Sequence, residues 1–398
     1  MQRDNNIPKG YKPSPFGPIP IDWDIKKGED VALKITKGSS PNWQGFQYQD
    51  EGVLFVTSEN VRDGYLDVNN PKYLPIEFND KLKNSVLKKG DILINIVGAS
   101  IGRSCIYNID TLANINQAVC LFRPNSDFNL SYLSNFLNFP KSIDRLLNTQ
   151  SDSARPNLTL EDIRNFPFIL PSRHEQTAIA NLLSTWDKAI NTLTQLIAQK
   201  ELRKKWLMQQ LLTGKKRLKG FKEKWEEVEL GELLNYEQPT RYLVKDTLYN
   251  DKYPTPVLTA GKTFVLGYTN EENGICTDLP VIIFDDFTTA SKYVDFPFKA
   301  KSSAMKLLRP KATANVKFVF EAMQLMKYAI GGHERHWISK FVYLTIPCPP
   351  IEEQTAIARV LQSADAELKL LNQKLDKLKE QKKGLMQVLL TGKKRLNY

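Results

Sequence analysis

The chain repeats itself once, without a gap, at an offset of 178 residues. Glu175-Gln176-Thr177-Ala178-Ile179-Ala180 returns as Glu353-Gln354-Thr355-Ala356-Ile357-Ala358, and Thr213-Gly214-Lys215-Lys216-Arg217-Leu218 returns as Thr391-Gly392-Lys393-Lys394-Arg395-Leu396. Laying 175–218 on 353–396 gives 23 identities in 44 positions, so the copies share an origin. An unbroken 4-3 spacing runs through the second copy: Ile357, Leu361, Ala364, Leu368, Leu371, Leu375, Leu378, Lys382, Leu385, Leu389. The first copy puts Ile179, Leu183, Trp186, Ile190, Leu193, Ile197, Lys200, Lys204, Leu207 and Leu211 at the same places. A 3.5-residue apolar repeat without Pro, and with Gly384 its single internal Gly, predicts a long helix with a coiled-coil seam. From 353 to 390 it has 38 residues, roughly 57 Å at about 1.5 Å per residue. Proline-marked loops precede both helices (Pro167 and Pro171; Pro347, Pro349 and Pro350), and Thr-Gly follows each as a stop. Two amphipathic helices on separate domains would show the same pattern. Equal length and the lack of another mate favour two seams packed on each other, antiparallel because the long intervening segment lets the chain return.

Outside the helices the pattern changes. Residues 31–165 contain Val53-Leu54-Phe55-Val56, Asp91-Ile92-Leu93-Ile94-Asn95-Ile96-Val97 and Ala118-Val119-Cys120-Leu121-Phe122, β-rich runs separated by Gly, Asn and Asp. Residues 233–345 contain Val281-Ile282-Ile283-Phe284, Phe296-Pro297-Phe298 and, at their end, Phe341-Val342-Tyr343-Leu344-Thr345-Ile346. Helices are expected near 129–148 and 315–329. A shorter echo precedes both segments, Trp23 with Gly28-Glu29 and Trp225 with Gly231-Glu232. The fold class is therefore α+β: two mixed, largely β domains joined and separated by two long helices that form an antiparallel coiled coil. The expected divisions are 1–170, 171–218, 219–348 and 349–398. The helices share much sequence and the domains little, so the arms do one shared job and the domains two different ones.

Catalytic signals fail one by one. Gly98-Ala99-Ser100-Ile101-Gly102 matches G-x-S-x-G, but Arg103-Ser104-Cys105-Ile106-Tyr107 after it reads as a strand, where a nucleophile elbow needs a helix. Gly261-Lys262-Thr263 ends like a phosphate-binding loop, yet Pro256 stands at the place of its first glycine. His333 and His336 lack further ligands for zinc. Three histidines in 398 residues leave little for acid–base chemistry. No dinucleotide fingerprint and no Asp/Asn-Pro-Pro-aromatic motif of an amino-methyltransferase is present, so no catalytic residue, bound cofactor or metal is expected. Cys105, Cys120, Cys276 and Cys348 lie far apart, as in a reduced cytosolic protein. No run of 18 apolar residues predicts a membrane span, and the proline-rich start carries no apolar leader. The expected location is cytoplasmic.

The formal net charge is +11. Residues 174–218 carry +5 and 352–396 carry +4, so the domains hold little of it. A DNA partner would have to be met by locally placed donors, bidentate side chains on base edges and others on phosphates. Candidates in the first domain are Lys37, Asn60, Arg62, Ser100, Arg103, Asn116, Gln117, Arg155 and Asn157. In the second they are Lys262, Thr288, Thr289, Lys292, Ser302, Arg335 and His336. Each has its bland counterpart; Arg103, after a glycine-bounded turn, could equally be a surface Arg paired to an acid.

The layout resembles the specificity (S) subunit of type I restriction-modification systems. The resemblance rests on Gly90-Asp91-Ile92-Leu93, Gly98-x-Ser100-x-Gly102-Arg103 and Asn116-Gln117 in the first domain. In the second it rests on Phe284-Asp285-Asp286-Phe287-Thr288-Thr289 and Ser302-Ser303-Ala304-Met305. Around the helices it rests on the duplicated Pro-x-x-x-Glu-Gln-x-x-Ile-Ala…Leu-Leu-Thr-Gly frame, in which Ser172 stands where the second copy has Pro350. The resemblance covers essentially the whole chain. It implies two target recognition domains, each reading one half of an asymmetric, two-part double-stranded DNA sequence. It also implies two modification subunits bringing S-adenosylmethionine and adenine N6 methylation, with restriction subunits bringing ATP and Mg. A helix of about 57 Å would span roughly 17 base pairs at ~3.4 Å each, and duplicated arms would let one polypeptide engage two identical subunits. A standalone bipartite DNA-binding or scaffolding protein is the alternative, and a serine hydrolase using Ser100 a more distant one.

Overall fold

The heptad pattern forms two helices of equal length. In the computed structural model, which describes residues 7–148, 157–261, 263–326 and 336–396, they run Arg173–Leu211 and Ile351–Leu389, 39 residues each. The chain divides into two units, one of Met1–Leu193 with Lys374–Tyr398 and the other of Thr194–Gln373, so each unit holds parts of both helices. Every seam position named above is buried or half-buried. In the first unit Ile179 and Leu183 share an apolar cluster with Met386, Leu389 and Leu390. In the second, Leu211 and Leu212 share one with Ile357, Ala358 and Leu361. The start of each helix packs beside the end of the other, which is the expected antiparallel pairing. A fully buried Leu in such a seam stabilises the fold by about 1.5–3 kcal/mol relative to an exposed one.

The repeated polar residues fasten each domain to its helices. In the first unit Glu175 is fully buried; Trp23 Nε1 donates to it at 3.2 Å, and Arg395 clamps it at 3.0 and 2.6 Å. In the second unit Glu353 takes the same place, accepting from Trp225 Nε1 at 3.0 Å and from Arg217 at 2.7 and 2.6 Å. The neighbouring glutamines repeat as well. Gln176 Oε1 accepts from Asn129 N at 2.9 Å, and Gln354 Oε1 from Asn315 N at 2.8 Å. A buried carboxylate is tolerated only with such charge-assisted partners. The Glu-Gln and Lys-Lys-Arg-Leu repeats thus encode a lock between domain, helix start and helix end.

Both domains hang on the same topology. A two-stranded sheet, Asp24–Lys27 with Pro167–Leu170, brackets the first, and Glu226–Glu229 with Thr345–Cys348 brackets the second. Inside, the first has an antiparallel sheet ordered Ala32–Lys37, Val119–Pro124, Ile92–Asn95, Ser104–Ile106; the second has Leu234–Glu237, Met305–Pro310, Val281–Asp285, Ser291–Val294. A mixed three-stranded sheet accompanies each: Tyr73–Leu74, Val53–Val56, Ala113–Ile115 in one, Val265–Thr269, Thr255–Leu258, Lys299–Ala300 in the other. Ile92–Asn95 is buried throughout, as expected of a strand covered on both faces. Gly90-Asp91 proves structural: Gly90 turns with φ 96°, and buried Asp91 holds Arg123 at 2.6 and 2.7 Å.

Several boundaries differ from the sequence reading, each for a local reason. The helix expected over 129–148 is two, Leu130–Leu137 and Pro140–Asn148, because Pro140 cannot supply the donor that continuation requires. Pro297 likewise displaces the strand expected at 296–298 to Lys299–Ala300. The run from Phe341 begins as a one-turn helix, Phe341–Tyr343, and becomes strand only at Thr345–Cys348.

Candidate nucleic-acid interface

Strand register places most candidates at one end of each four-stranded sheet. In the first domain Lys37 pairs with Cys120, Val119 with Asn95 and Ile94 with Ser104. The loops leaving that end carry Lys37, Asn116, Gln117, Ser100 and Arg103. Buried Asn95 ties two of these loops together, its Nδ2 donating to Ser58 O and to Ser100 Oγ, both at 3.0 Å. Gly64 N donates to Ser104 O at 2.9 Å, which brings the 58–67 loop and its Asn60 and Arg62 alongside. Asn157 joins through a bridge to Val97, with Leu158 N donating to Ile96 O at 2.8 Å.

The side chains at this end divide by what they are bonded to. Asn60 Oδ1 accepts from Thr57 N at 2.8 Å and its Nδ2 donates to Asp67 O at 2.8 Å, so it shapes its loop. Asn116 Oδ1 accepts from Ala118 N at 3.1 Å and does the same for its turn. Ser100 is engaged by Asn95. Arg62 pairs with Asp67 at 3.3 Å and Arg103 with Asp63 at 3.4 Å, each Arg side chain 41% exposed. Lys37 and Asn157 are exposed, and Gln117 is half-buried. Aspartates 63 and 67 were not singled out from the sequence; only the folded loop brings them to the arginines.

The second domain presents the equivalent end. Glu237 pairs with Leu307, Asp285 with Met305 and Phe284 with Ser291. Asp285 Oδ1 accepts from Phe287 N at 2.8 Å and Thr288 N at 3.2 Å, building a tight turn in which Thr289 adopts φ 60°. Ser302 Oγ caps the neighbouring turn by accepting from Ala304 N at 3.1 Å. Lys292 is exposed, its ammonium 6.0 Å from the Phe264 ring centroid. His336 is buried, its backbone N donating to Asp286 O at 3.2 Å, so its side chain lies inside the domain rather than on this edge. Lys306, which the sequence did not point to, reaches Gln238 Oε1 at 2.9 Å and Ser303 O at 2.7 Å beside the same turns. Arg155, Lys262 and Arg335 lie outside the described residues.

Among the described residues no group of three or more His, Cys, Asp or Glu is placed to hold a metal ion, and no helix is long and apolar enough to cross a membrane. Each unit instead offers a loop-built edge of hydroxyls, amides and cations.

The family model of the type I restriction modification DNA specificity domain matches residues 20–202 and 222–380. A 179-residue stretch is 46% identical to the Type I restriction enzyme EcoR124I/EcoR124II specificity subunit of Escherichia coli, covering 42% of this chain and 44% of that one. The match therefore spans less than half of that relative. A putative type I restriction enzyme MjaX specificity subunit of Methanocaldococcus jannaschii is 26% identical over 98% of this chain and 97% of its own. Among solved structures, the type I restriction-modification S subunit from M. genitalium superposes with a TM-score of 0.61 at 17% identity, over 98% of both chains. A chain from work on complex assembly and conformational transition of the type I system gives 0.54 at 16% identity, covering 94% of this chain and 99% of that one. Those two likenesses establish a shared fold. With the family model matched on both domains and most of both helices, the chain belongs to the type I restriction-modification specificity (S) subunit family.

Proposed function

We propose that this chain is the non-catalytic subunit that reads a bipartite, asymmetric double-stranded DNA target and positions two adenine-N6 methyltransferase subunits on it, with restriction subunits where these are present. S-adenosylmethionine, ATP and Mg would then reside on the partners. The target recognition domains would be 1–170 and 219–348, and the helical regions 171–218 and 349–398. One observation carries the reading: the two domains share a topology while their equivalent sheet ends carry different donors. A common scaffold with two dissimilar reading edges suits a target with two dissimilar halves. The duplicated locks at Glu175 and Glu353 support quasi-two-fold arms able to meet two copies of one partner.

On this reading Arg62, Arg103, Lys37, Gln117 and Asn157 contact one half-site, and Thr288, Thr289, Lys292 and Ser302 the other. Asn60, Ser100 and Asn116 hold the loops in shape. Phosphate contacts would set position and base-edge contacts would set sequence. Single-molecule sequencing of adenine methylation in cells carrying this chain and its modification subunit tests it. The expected result is one motif of two unlike specific parts separated by unspecified bases; methylation lacking such a motif rejects it.

A further inference from the structure

The first unit carries a tryptophan that its own packing does not use. Trp43 is 79% exposed, the most exposed large apolar side chain among the described residues. It sits on the single turn Asn42–Gln44, in the loop that continues strand Ala32–Lys37 beyond the interface end of its sheet. The turn is firmly built. Gln44 N and Phe46 N donate to Pro41 O at 3.0 and 2.9 Å, and Gly45, with φ 82°, closes it by donating to Asn42 O at 3.2 Å. Gln44 Nε2 donates to Ser39 Oγ at 2.9 Å, and Lys81 Nζ donates to Gln44 O at 3.0 Å. The backbone is pinned from both sides while the indole stands in water.

Beside this turn lies a cleft of about 500 Å³, lined by Lys37, Lys81 and Lys83 with the polar Ser39 and Asn84. Asp80 is the one acid in its lining. An exposed indole on a turn bonded to the rim of a cleft lined by three lysines matches a ligand with anionic oxygens and a flat apolar face. Protein interface cores are depleted in lysine, whereas nucleic acid asks for this combination. The second unit does not repeat it: its equivalent strand leads into the turn Pro239–Tyr242, where Arg241 is tied to Glu237.

We propose that Trp43 and this lysine cleft form a DNA-contacting site of the first domain, the lysines on backbone phosphates and the indole against a sugar or base. The proposal rests on the DNA-reading function above and adds a contact that is not repeated among the described residues of the other domain.

The test uses the full chain assembled with its modification subunits, bound to duplex carrying its methylated motif over a range of salt. Trp43→Ala should weaken binding about ten-fold, and Trp43→Phe should restore most of it. Lys37→Gln with Lys83→Gln should weaken cognate and unrelated DNA alike and lower the salt slope by about two. Thermal midpoints should stay unchanged. Binding by Trp43→Ala equal to the parent overturns the proposal, and so does a salt slope left unchanged by the double lysine variant. A parental complex with no sequence preference would be a different result, which removes the DNA-reading function itself.

Discussion

Lys382 reaches from the second long helix to Asp187 on the first, Nζ to Oδ1 2.6 Å. Lys204 makes the same bond in the other direction, 2.5 Å from Asp365. The two lysines are 178 residues apart, and so are the two aspartates. In a parallel pair the lysines would face one another at the seam; in the antiparallel pair each meets the other copy's aspartate. The polar interruptions of the heptad are therefore self-complementary across the repeat, a register device of the kind a lone polar core residue provides.

The two copies differ in what stands behind them. Lys204 also lies 3.6 Å from Glu321, which is buried, whereas Asp187 is 43% exposed. Lys204→Met would leave Glu321 and Asp365 sharing Lys317, 2.7 Å from each, and should destabilise the second unit by about 1–3 kcal/mol. Lys382→Met should cost about 0–1 kcal/mol, because Asp187 can rehydrate. Urea unfolding of both variants checks the asymmetry; equal costs would deny the buried acid its role.

Acid should weaken the same centre. Burial alone would raise the Asp365 carboxyl, but its bonds from Lys204 and Lys317 outweigh this and hold it below its ordinary value of 3.8. A depressed folded value means the contribution is complete above the unfolded value and fades as pH falls through the folded one. The stability difference between the parent and Asp365→Asn should be largest above the ordinary carboxylate range, about pH 4, and shrink as pH falls below it. A difference independent of pH contradicts this.

The lock at Glu353 is more demanding. Glu353→Ala would strip Trp225 Nε1 and Arg217 of their shared acceptor, a loss of about 2–4 kcal/mol. Glu175→Ala should cost a similar amount in the first unit through Trp23 and Arg395. Calorimetry with each variant reads both numbers, and a change under about 0.5 kcal/mol in either would show that the lock is not needed there.

Arg103 pairs with Asp63, itself well exposed, at 3.4 Å. Such a surface pair contributes about 0–1 kcal/mol to folding, so Arg103→Ala should fold and assemble normally. Under the proposed function it should weaken DNA binding by about 1–3 kcal/mol and relax selectivity at one position if it meets a base. A phosphate contact would instead lower affinity for all sequences and flatten the salt dependence. Isotherms on cognate, single-variant and unrelated duplexes separate the two, and unchanged affinity on all three leaves Arg103 a surface ion pair.

The helices were the most legible part of the chain, because a heptad seam writes its periodicity directly into the sequence. All twenty seam positions, from Ile179 to Leu389, face inward or half-inward. The edge of each domain was legible only in part. Turn chemistry around Gly98 and Thr288 marked the loops, but the partners that constrain them come from distant segments: Asn95 grips Ser58 O, and Asp63 meets Arg103. Burial of His336 is likewise a tertiary fact, whereas the bonds of Asn60 and Asn116 are local turn contacts that their positions in the sequence did not single out. The repeated Glu-Gln and Arg were visible as identities, yet their roles depended on Trp23 and Trp225, which lie far off in the chain. Shared topology in two domains of unlike sequence was hidden for the same reason, since register is set by pairing rather than composition.

Under the proposed function each domain reads its own half of the target. Replacing residues 31–165 with the matching segment of another family member, keeping both helices and the locks at Glu175 and Glu353, and sequencing the adenine methylation that results tests it most directly. One half of the motif should change while the other half stays as it was. Simultaneous change of both halves, or an unchanged motif, would contradict it.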